Sequence, residues 1–158
     1  MTRTLQFNWR HILSFALIIL IAGFVVGSAH AADAGRIKVI KGAVSVERGG
    51  KHIAAAVGMP VLVSDSIVTG PDGSVGIAFL DDSVLSAGPN TVLAIDKFVF
   101  DATTHQGEFE TSLKKGTLAA ISGKLVKQQP ESMRVKTPAA IMGVRGTEFV
   151  VKVAEGAN

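Results

Sequence analysis

The sequence predicts an all-β domain built from short strands. Turn residues recur at short intervals, apolar and polar residues alternate between them, and no stretch after residue 31 keeps helical spacing over three turns. The turn signals are Gly49 and Gly50, Gly58 to Pro60, Gly70 to Gly73, Asp81 to Ser83, Gly88 to Asn90, Gly107 and Gly116. This rhythm fits a stacked-strand β-solenoid, a sandwich or a barrel, and periodicity alone does not choose among them.

The first 31 residues have the composition of a secretory signal peptide. Arg3 and Arg10 precede an uncharged, mostly apolar run from Ile12 to Val26, and Gly27 to Ala31 follows the small-x-small pattern of a cleavage site. Cleavage would leave Ala32 as the first residue. The alternative is an uncleaved anchor, because the apolar run approaches the length of a membrane span. Both predict a single exported domain over residues 32–158, in the periplasm.

Alternation predicts strands in order along this domain, each with one face toward the core. The residues predicted to face inward are Val44 and Val46, then Val75, Ile77 and Phe79, then Phe109, Thr111 and Leu113, and last Thr147, Phe149, Val151 and Val153. Between the last two groups, Lys124 to Glu131 carries two glutamines and Pro130, and it is predicted to be a loop.

Composition excludes several functions. The 16 basic and 13 acidic residues nearly balance and are interspersed, which argues against nucleic acid as a partner. The chain has no cysteine, so disulfides and thiolate catalysis are excluded. It also has no tyrosine, and its one tryptophan, Trp9, lies in the leader, so a surface for stacking sugars is disfavoured.

The sequence predicts no active site, no metal site and no cofactor. His52 and His105 are far apart and have no neighbouring ligands at metal-binding spacing. No serine lies in a Gly-x-Ser-x-Gly elbow. Asp81 and Asp82 are explained as turn residues, and in a strand they would point to opposite faces, so a hydrolase that uses them is a minor hypothesis.

Arg145 is the polar residue that most needs an explanation. It lies in the largely apolar segment from Met133 to Val153 and has the same strand parity as Phe149. If the pleat continues unbroken, its guanidinium points into the core and must be paired. If Gly146 makes a bulge, the side chain turns outward. We expect a buried ion pair, and the alternative is that Arg145 receives a carboxylate or phosphate from a ligand or partner.

This closing segment resembles that of the FecR-like domain family, in which Thr-Pro leads into a Gly-Val-Arg-Gly-Thr-x-Phe strand. The matching residues are Thr137, Pro138, Gly143, Val144, Arg145, Gly146, Thr147 and Phe149. Similar pieces precede it in the same order: Gly42 to Val46, Val63 to Gly70, Gly73 to Phe79 and Gly88 to Leu93. The resemblance spans residues 36 to 153 and favours stacked β turns.

The resemblance also indicates which residues matter. We expect a structural role for the motif residues Asp65, Thr69, Gly70, Thr137, Pro138, Gly143, Arg145, Gly146, Thr147 and Phe149. Because Asp65 lies in the segment that the resemblance makes central, it is the first expected partner of Arg145, and Asp82 is the second.

The resemblance implies signalling across the bacterial envelope, in which such regulators receive a periplasmic signal and pass it to a cytoplasmic sigma factor. Few residues flank the apolar run and the last strand, so we expect the periplasmic module without the anti-sigma part. We expect a non-catalytic module for protein interaction or sensing, whose partner is another envelope or inner-membrane protein. Exposed strand edges also favour self-association. Membrane contact is expected only if the leader is uncleaved. The alternative is a structural domain that binds cell wall or polysaccharide.

Overall fold

The structure is a computed structural model that describes residues 33–154. The predicted signal peptide and its alternative, the anchor, lie outside the described residues. Residues 33–154 contain no helix with the length and apolar character that a bilayer crossing requires.

Short strands make up most of the described range. They are β1 (Asp33–Lys41), β2 (Val44–Arg48), β3 (Lys51–Ala54), β4 (Pro60–Leu62), β5 (Ser66–Thr69), β6 (Ser74–Phe79), β7 (Val84–Ala87), β8 (Val92–Phe100), β9 (Gly107–Ile121), then helix α1 (Lys124–Gln128), and β10 (Met133–Lys136), β11 (Ile141–Gly143) and β12 (Glu148–Val153). Strands hold 59% of the described residues and the helix has 5 residues, so the all-β prediction is confirmed.

The strands form one curled open sheet in which β9 is the central element. The main path runs β3-β2-β5-β8-β9-β7-β6-β1-β4. The first part of β9 pairs with β8 and, in parallel, with β10, whereas its last part pairs with β7 and β12. Gly116 lies between the two parts at φ +92, and a Cβ there would approach Thr91 Oγ1 to 2.2 Å. Neither of the finer predictions, a solenoid or a sandwich, is confirmed.

Three phenylalanines hold the curled sheet around one core. Phe79 on β6 lies 5.5 Å from Phe98 on β8 and 4.6 Å from Phe109 on β9, measured between ring centroids. The predicted alternation is confirmed on two of these strands. Val75, Ile77 and Phe79 are buried on β6, and Phe109, Thr111 and Leu113 are buried on β9. Apolar side chains from both ends of the path therefore share one interior.

Two local predictions are wrong. The predicted loop from Lys124 to Glu131 contains helix α1, whose Leu125 and Val126 are buried. A single helical turn is too short to give a periodic signal. Thr147 was predicted to face the core on the last strand, but it is exposed and lies before β12 begins. The reason is that Gly146, at φ +118, bends the chain just before the strand. The remaining residues of the predicted face, Phe149, Val151 and Val153, are half-buried.

Candidate functional site

An apolar groove lies between the last two strands, β11 and β12, and is called the seam groove below. It consists of two cavities of about 260 Å³ and 200 Å³ that share Met142 and Val151. The first is lined by Thr137, Pro138, Ala139, Met142, Val151, Lys152, Val153 and Ala154. The second is lined by Val135, Met142, Gly143, Val144, Arg145, Phe149, Val150 and Val151.

The seam groove follows the free edge of β12. Among the described strands, β12 pairs only with β9, and β11 pairs only with β10. The lining includes Val150 and Lys152, whose main-chain groups are directed away from β9 in the antiparallel pairing of β12. The groove therefore borders main-chain N–H and C=O groups without strand partners, as well as apolar side chains.

Exposed apolar side chains lie close to this groove along the chain. Val150 on β12 is 66% exposed and Ile141 on β11 is 68% exposed, while Met142, Phe149 and Val151 are half-buried. Single exposed apolar residues are ordinary on protein surfaces, but a group of them beside a groove is typical of a binding surface.

Arg145 lies at one end of the seam groove, and the expectation that it forms a buried pair is wrong. Its side chain is 73% exposed and forms an ion pair with Glu131, which is 56% exposed. Arg145 therefore takes the outward orientation, and the cause is the bend at Gly146. Exposed ion pairs contribute little to stability, so a carboxylate of a partner could replace Glu131 at small cost.

Neither residue expected to pair with Arg145 does so. Asp65 is 1% exposed and accepts hydrogen bonds at 2.7 Å from both Nε and Nη2 of Arg48, and the Leu62 N–H donates to it at 2.8 Å. The hydrogen bond to Asp65 raises the pKa of Arg48. Asp82 is exposed and pairs with Lys124 at 2.8 Å, and the hydrogen bond from that lysine lowers the pKa of Asp82.

Thr69 ties the end of β5 to the turn that precedes β8, and Gly70 ties it to the turn between β1 and β2. The Thr69 hydroxyl donates to the Gly88 carbonyl at 2.6 Å and accepts from the Thr91 N–H at 2.8 Å. The Gly70 N–H donates to the Ala43 carbonyl at 2.8 Å. Neither residue lines the seam groove.

Thr137 and Pro138 form the turn that closes the β10–β11 hairpin and one end of the groove. The Thr137 N–H donates to the Ala140 carbonyl at 2.8 Å, and the Ala140 N–H donates to the Thr137 hydroxyl at 3.0 Å. Pro138 suits this turn because it has no main-chain N–H that would need an acceptor.

The structure brings part of the predicted motif together and separates the rest. The motif residues that line the groove are Thr137, Pro138, Gly143, Arg145 and Phe149. Gly146 and Thr147 connect the strands on either side of the groove, whereas Asp65, Thr69 and Gly70 stabilise β5. Sequence reasoning did not single out Met142, which both cavities share, because a strand of three residues shows no periodicity.

The outer face of β8, β9 and β10 carries a ladder of opposite charges. Glu108 accepts from Lys97 at 2.5 Å and from Arg134 at 2.8 Å, and Glu110 accepts from Lys136 at 2.6 Å. The hydrogen bond from Lys136 is the main cause that lowers the pKa of Glu110. Asp96, 3.9 Å from Lys136, is the third carboxylate of the ladder, so its three acidic and three basic side chains compensate one another, which favours a structural role.

The candidate catalytic groups do not converge. Asp81 is buried and accepts from the N–H of Ser83 at 3.1 Å and from its hydroxyl at 2.5 Å. His52 faces Glu47 at 3.4 Å, and His105 stacks on Phe100. Within residues 33–154, no group of three or more His, Cys, Asp or Glu side chains could hold a metal ion. The seam groove instead offers apolar contact, main-chain hydrogen bonds and two cationic side chains, those of Arg145 and Lys152.

The fold and the groove together are typical of an all-β binding module. Residues 65–158 match the family model described as FecR protein. Because this match covers more than half of the chain, the protein belongs to the FecR family. The family is generally non-enzymatic, and membership indicates a role related to envelope signalling.

Among the curated proteins, none matches the chain significantly. Among solved structures, a cell surface anchoring domain is similar, with 29% sequence identity, a TM-score of 0.38, and coverage of 39% of this chain and 82% of that one.

Proposed function

We infer that this protein is an exported, periplasmic FecR module, without catalytic activity, that binds an extended segment of another envelope protein in the seam groove. The observation that carries the proposal is the course of the groove along the free edge of β12. The leader predicted over residues 1–31 supports export, and family membership supports a role in signalling.

An extended segment matches this geometry better than a rigid surface does. A segment beside β12 would form main-chain hydrogen bonds with the strand edge and would place alternate side chains in the groove. Met142 and Val151 form its apolar floor, since both cavities share them. Each 100 Å² of apolar surface removed from water would contribute about 2.5 kcal/mol before the cost of ordering the segment is subtracted.

Arg145 would set the polarity of the bound segment. Arg145 lines the cavity away from Thr137 and Pro138, and its planar guanidinium would bind a partner carboxylate there through two parallel hydrogen bonds, whereas Lys152 in the other cavity offers only a point charge. Glu131 holds the guanidinium in the free protein. Exchange of one carboxylate for another would give the site directional selectivity with little change in the stability of the domain.

The experiment is chemical crosslinking in intact cells, followed by capture of the full chain through a C-terminal tag and identification of the captured proteins by mass spectrometry. Met142→Asp places a charge in the groove and is expected to abolish capture of the specific partner. Met59→Asp is the matched control, because Met59 is also half-buried against the core but does not line the groove. Thermal melting of both variants checks that they fold.

Recovery of one envelope protein by the wild type and by Met59→Asp, but not by Met142→Asp, would support the proposal. Equal recovery by both variants would contradict it. Recovery of wall fragments in place of a protein would move the interpretation to the structural, polysaccharide-binding alternative.

A further inference from the structure

We propose that two copies of this protein associate by antiparallel pairing of their β12 strands, with Val150 at the two-fold axis. This goes beyond the proposed function, because the partner is a second copy of the same chain, and it makes self-association and binding of an extended segment two alternative uses of the same β12 edge. The pairing would extend the sheet of one copy into the sheet of the other.

The hydrogen-bond phase of β12 shows which residues face the free edge. The Ser122 N–H donates to the Thr147 carbonyl at 2.8 Å, and β12 continues antiparallel to β9 from Glu148 opposite Ile121. In an antiparallel ladder, every second residue directs its main-chain groups to the same neighbour. The main-chain groups of Phe149, Val151 and Val153 therefore face β9, and those of the alternate residues, Glu148, Val150 and Lys152, face the open edge.

The charged residues on that edge, Glu148 and Lys152, would face opposite charges on the same edge of a second copy. With Val150 opposite Val150 of the second copy, Glu148 lies opposite Lys152 of the second copy, and Lys152 lies opposite its Glu148. A two-fold axis makes the same contact occur twice. The three facing pairs would form about six main-chain hydrogen bonds, and opposite charges across a strand pair add stability.

Other antiparallel registers lose this match. Centring the pair on Glu148 or on Lys152 places like charges opposite each other, which is destabilising. Centring it on Phe149 or Val151 places a charged residue opposite Val150. Charges on an edge strand normally prevent unwanted pairing, and here the pattern blocks these registers while it favours one.

Apolar contacts favour the same register. Val150 is 66% exposed in the single copy and would pack against its symmetry mate on the outer face. On the inner face, Phe149 would lie opposite Val151 of the second copy, and both residues are half-buried in the single copy. Ile121, which is 51% exposed, and Ala119 continue this outer face onto β9. Dimerisation would therefore cover apolar surface on both sides of the sheet.

The absence of cysteine from the chain gives a direct test with the full-length protein in cells. Residues at a hydrogen-bonded antiparallel position lie about 5.5 Å apart between Cα atoms, which is within disulfide range. Val150→Cys is expected to give a disulfide-linked dimer on a non-reducing gel after mild oxidation. Val39→Cys is the matched control, because Val39 is 62% exposed but lies on β1. The Val39→Cys protein is expected to stay monomeric.

Charge reversal tests the register itself. In the Val150→Cys background, Glu148→Lys and Lys152→Glu are each expected to lower the yield of linked dimer roughly five- to tenfold, because each creates like-charge pairs. The double reversal restores opposite charges and is expected to recover the yield. Lys38→Glu, an exposed charge reversal on β1, controls for net charge.

Equal linkage by Val150→Cys and Val39→Cys would overturn the proposal, and so would a double reversal that links no better than either single variant. This outcome is separable from a failure of the proposed function, because partner capture is measured with Met142→Asp and needs no cysteine.

Discussion

Replacement of Arg48 by alanine is expected to lower the stability of the domain strongly, because it would leave Asp65 buried without its counterion. Asp65 is 1% exposed and receives hydrogen bonds from Nε and Nη2 of Arg48, each at 2.7 Å. Removing one partner of a buried ion pair costs about 3–5 kcal/mol. The Arg48 side chain is 33% exposed, so water reaches part of the pair, and we expect the lower value of about 3 kcal/mol. In a domain of this size, that loss corresponds to a fall of about 10 °C in Tm.

The assay is urea unfolding followed by circular dichroism, with Arg145→Ala as the matched control. The Arg145–Glu131 pair is exposed on both sides, so its loss is expected to cost less than about 0.5 kcal/mol. Arg48→Met combined with Asp65→Leu should recover much of the loss, since apolar residues of similar volume often replace a buried pair without destabilisation. A loss below about 1 kcal/mol for Arg48→Ala, or equal losses for the two arginine variants, would refute the reasoning.

Two further outcomes are expected. Gly116→Ala should lower Tm more than Gly49→Ala does. Both glycines have positive φ, but only at Gly116 would a Cβ meet another atom, Thr91 Oγ1, at 2.2 Å. Equal shifts of Tm in a thermal melt would contradict this steric argument. The hydrogen bond from Lys136 lowers the pKa of Glu110 in the folded protein below its value in the unfolded chain. The pair therefore stabilises the fold fully at a pH above the unfolded-state pKa of Glu110, and this contribution is lost as the pH falls through the folded-state pKa. Lys136→Met should therefore reduce the dependence of the unfolding free energy on acidic pH, and an unchanged dependence would exclude this contribution.

Much of the fold could be predicted from the sequence because single-sided burial leaves a local pattern. Strand β6, and β9 from Glu108 to Lys114, alternate between buried and more exposed residues, and that period is visible in the sequence. Helix α1 was missed because one turn with two adjacent buried residues, Leu125 and Val126, has no period. The curled order of the sheet depends on which strands meet across long separations, which periodicity does not encode.

The candidate site was predictable only in part. Part of the closing motif lines the seam groove, yet the groove exists because β11 and β12 each lack a second strand partner within the described range. Local sequence does not show which edges remain unpaired. The expected buried orientation of Arg145 requires an unbroken pleat, whereas the positive φ of Gly146 fits the outward alternative.

The Arg48–Asp65 pair also means that the segment recognised by the family model leaves out contacts on which the described sheet depends. The match begins at Asp65, so Arg48 lies outside it. Two strands also lie outside it: β1, which pairs with β6, and β2, which pairs with β5. A fragment starting at residue 65 would retain a buried carboxylate without its cation and would open two strand edges at once. Transfer of this module to another protein should therefore begin no later than β1, so that the cation and the flanking strands travel with the recognised segment.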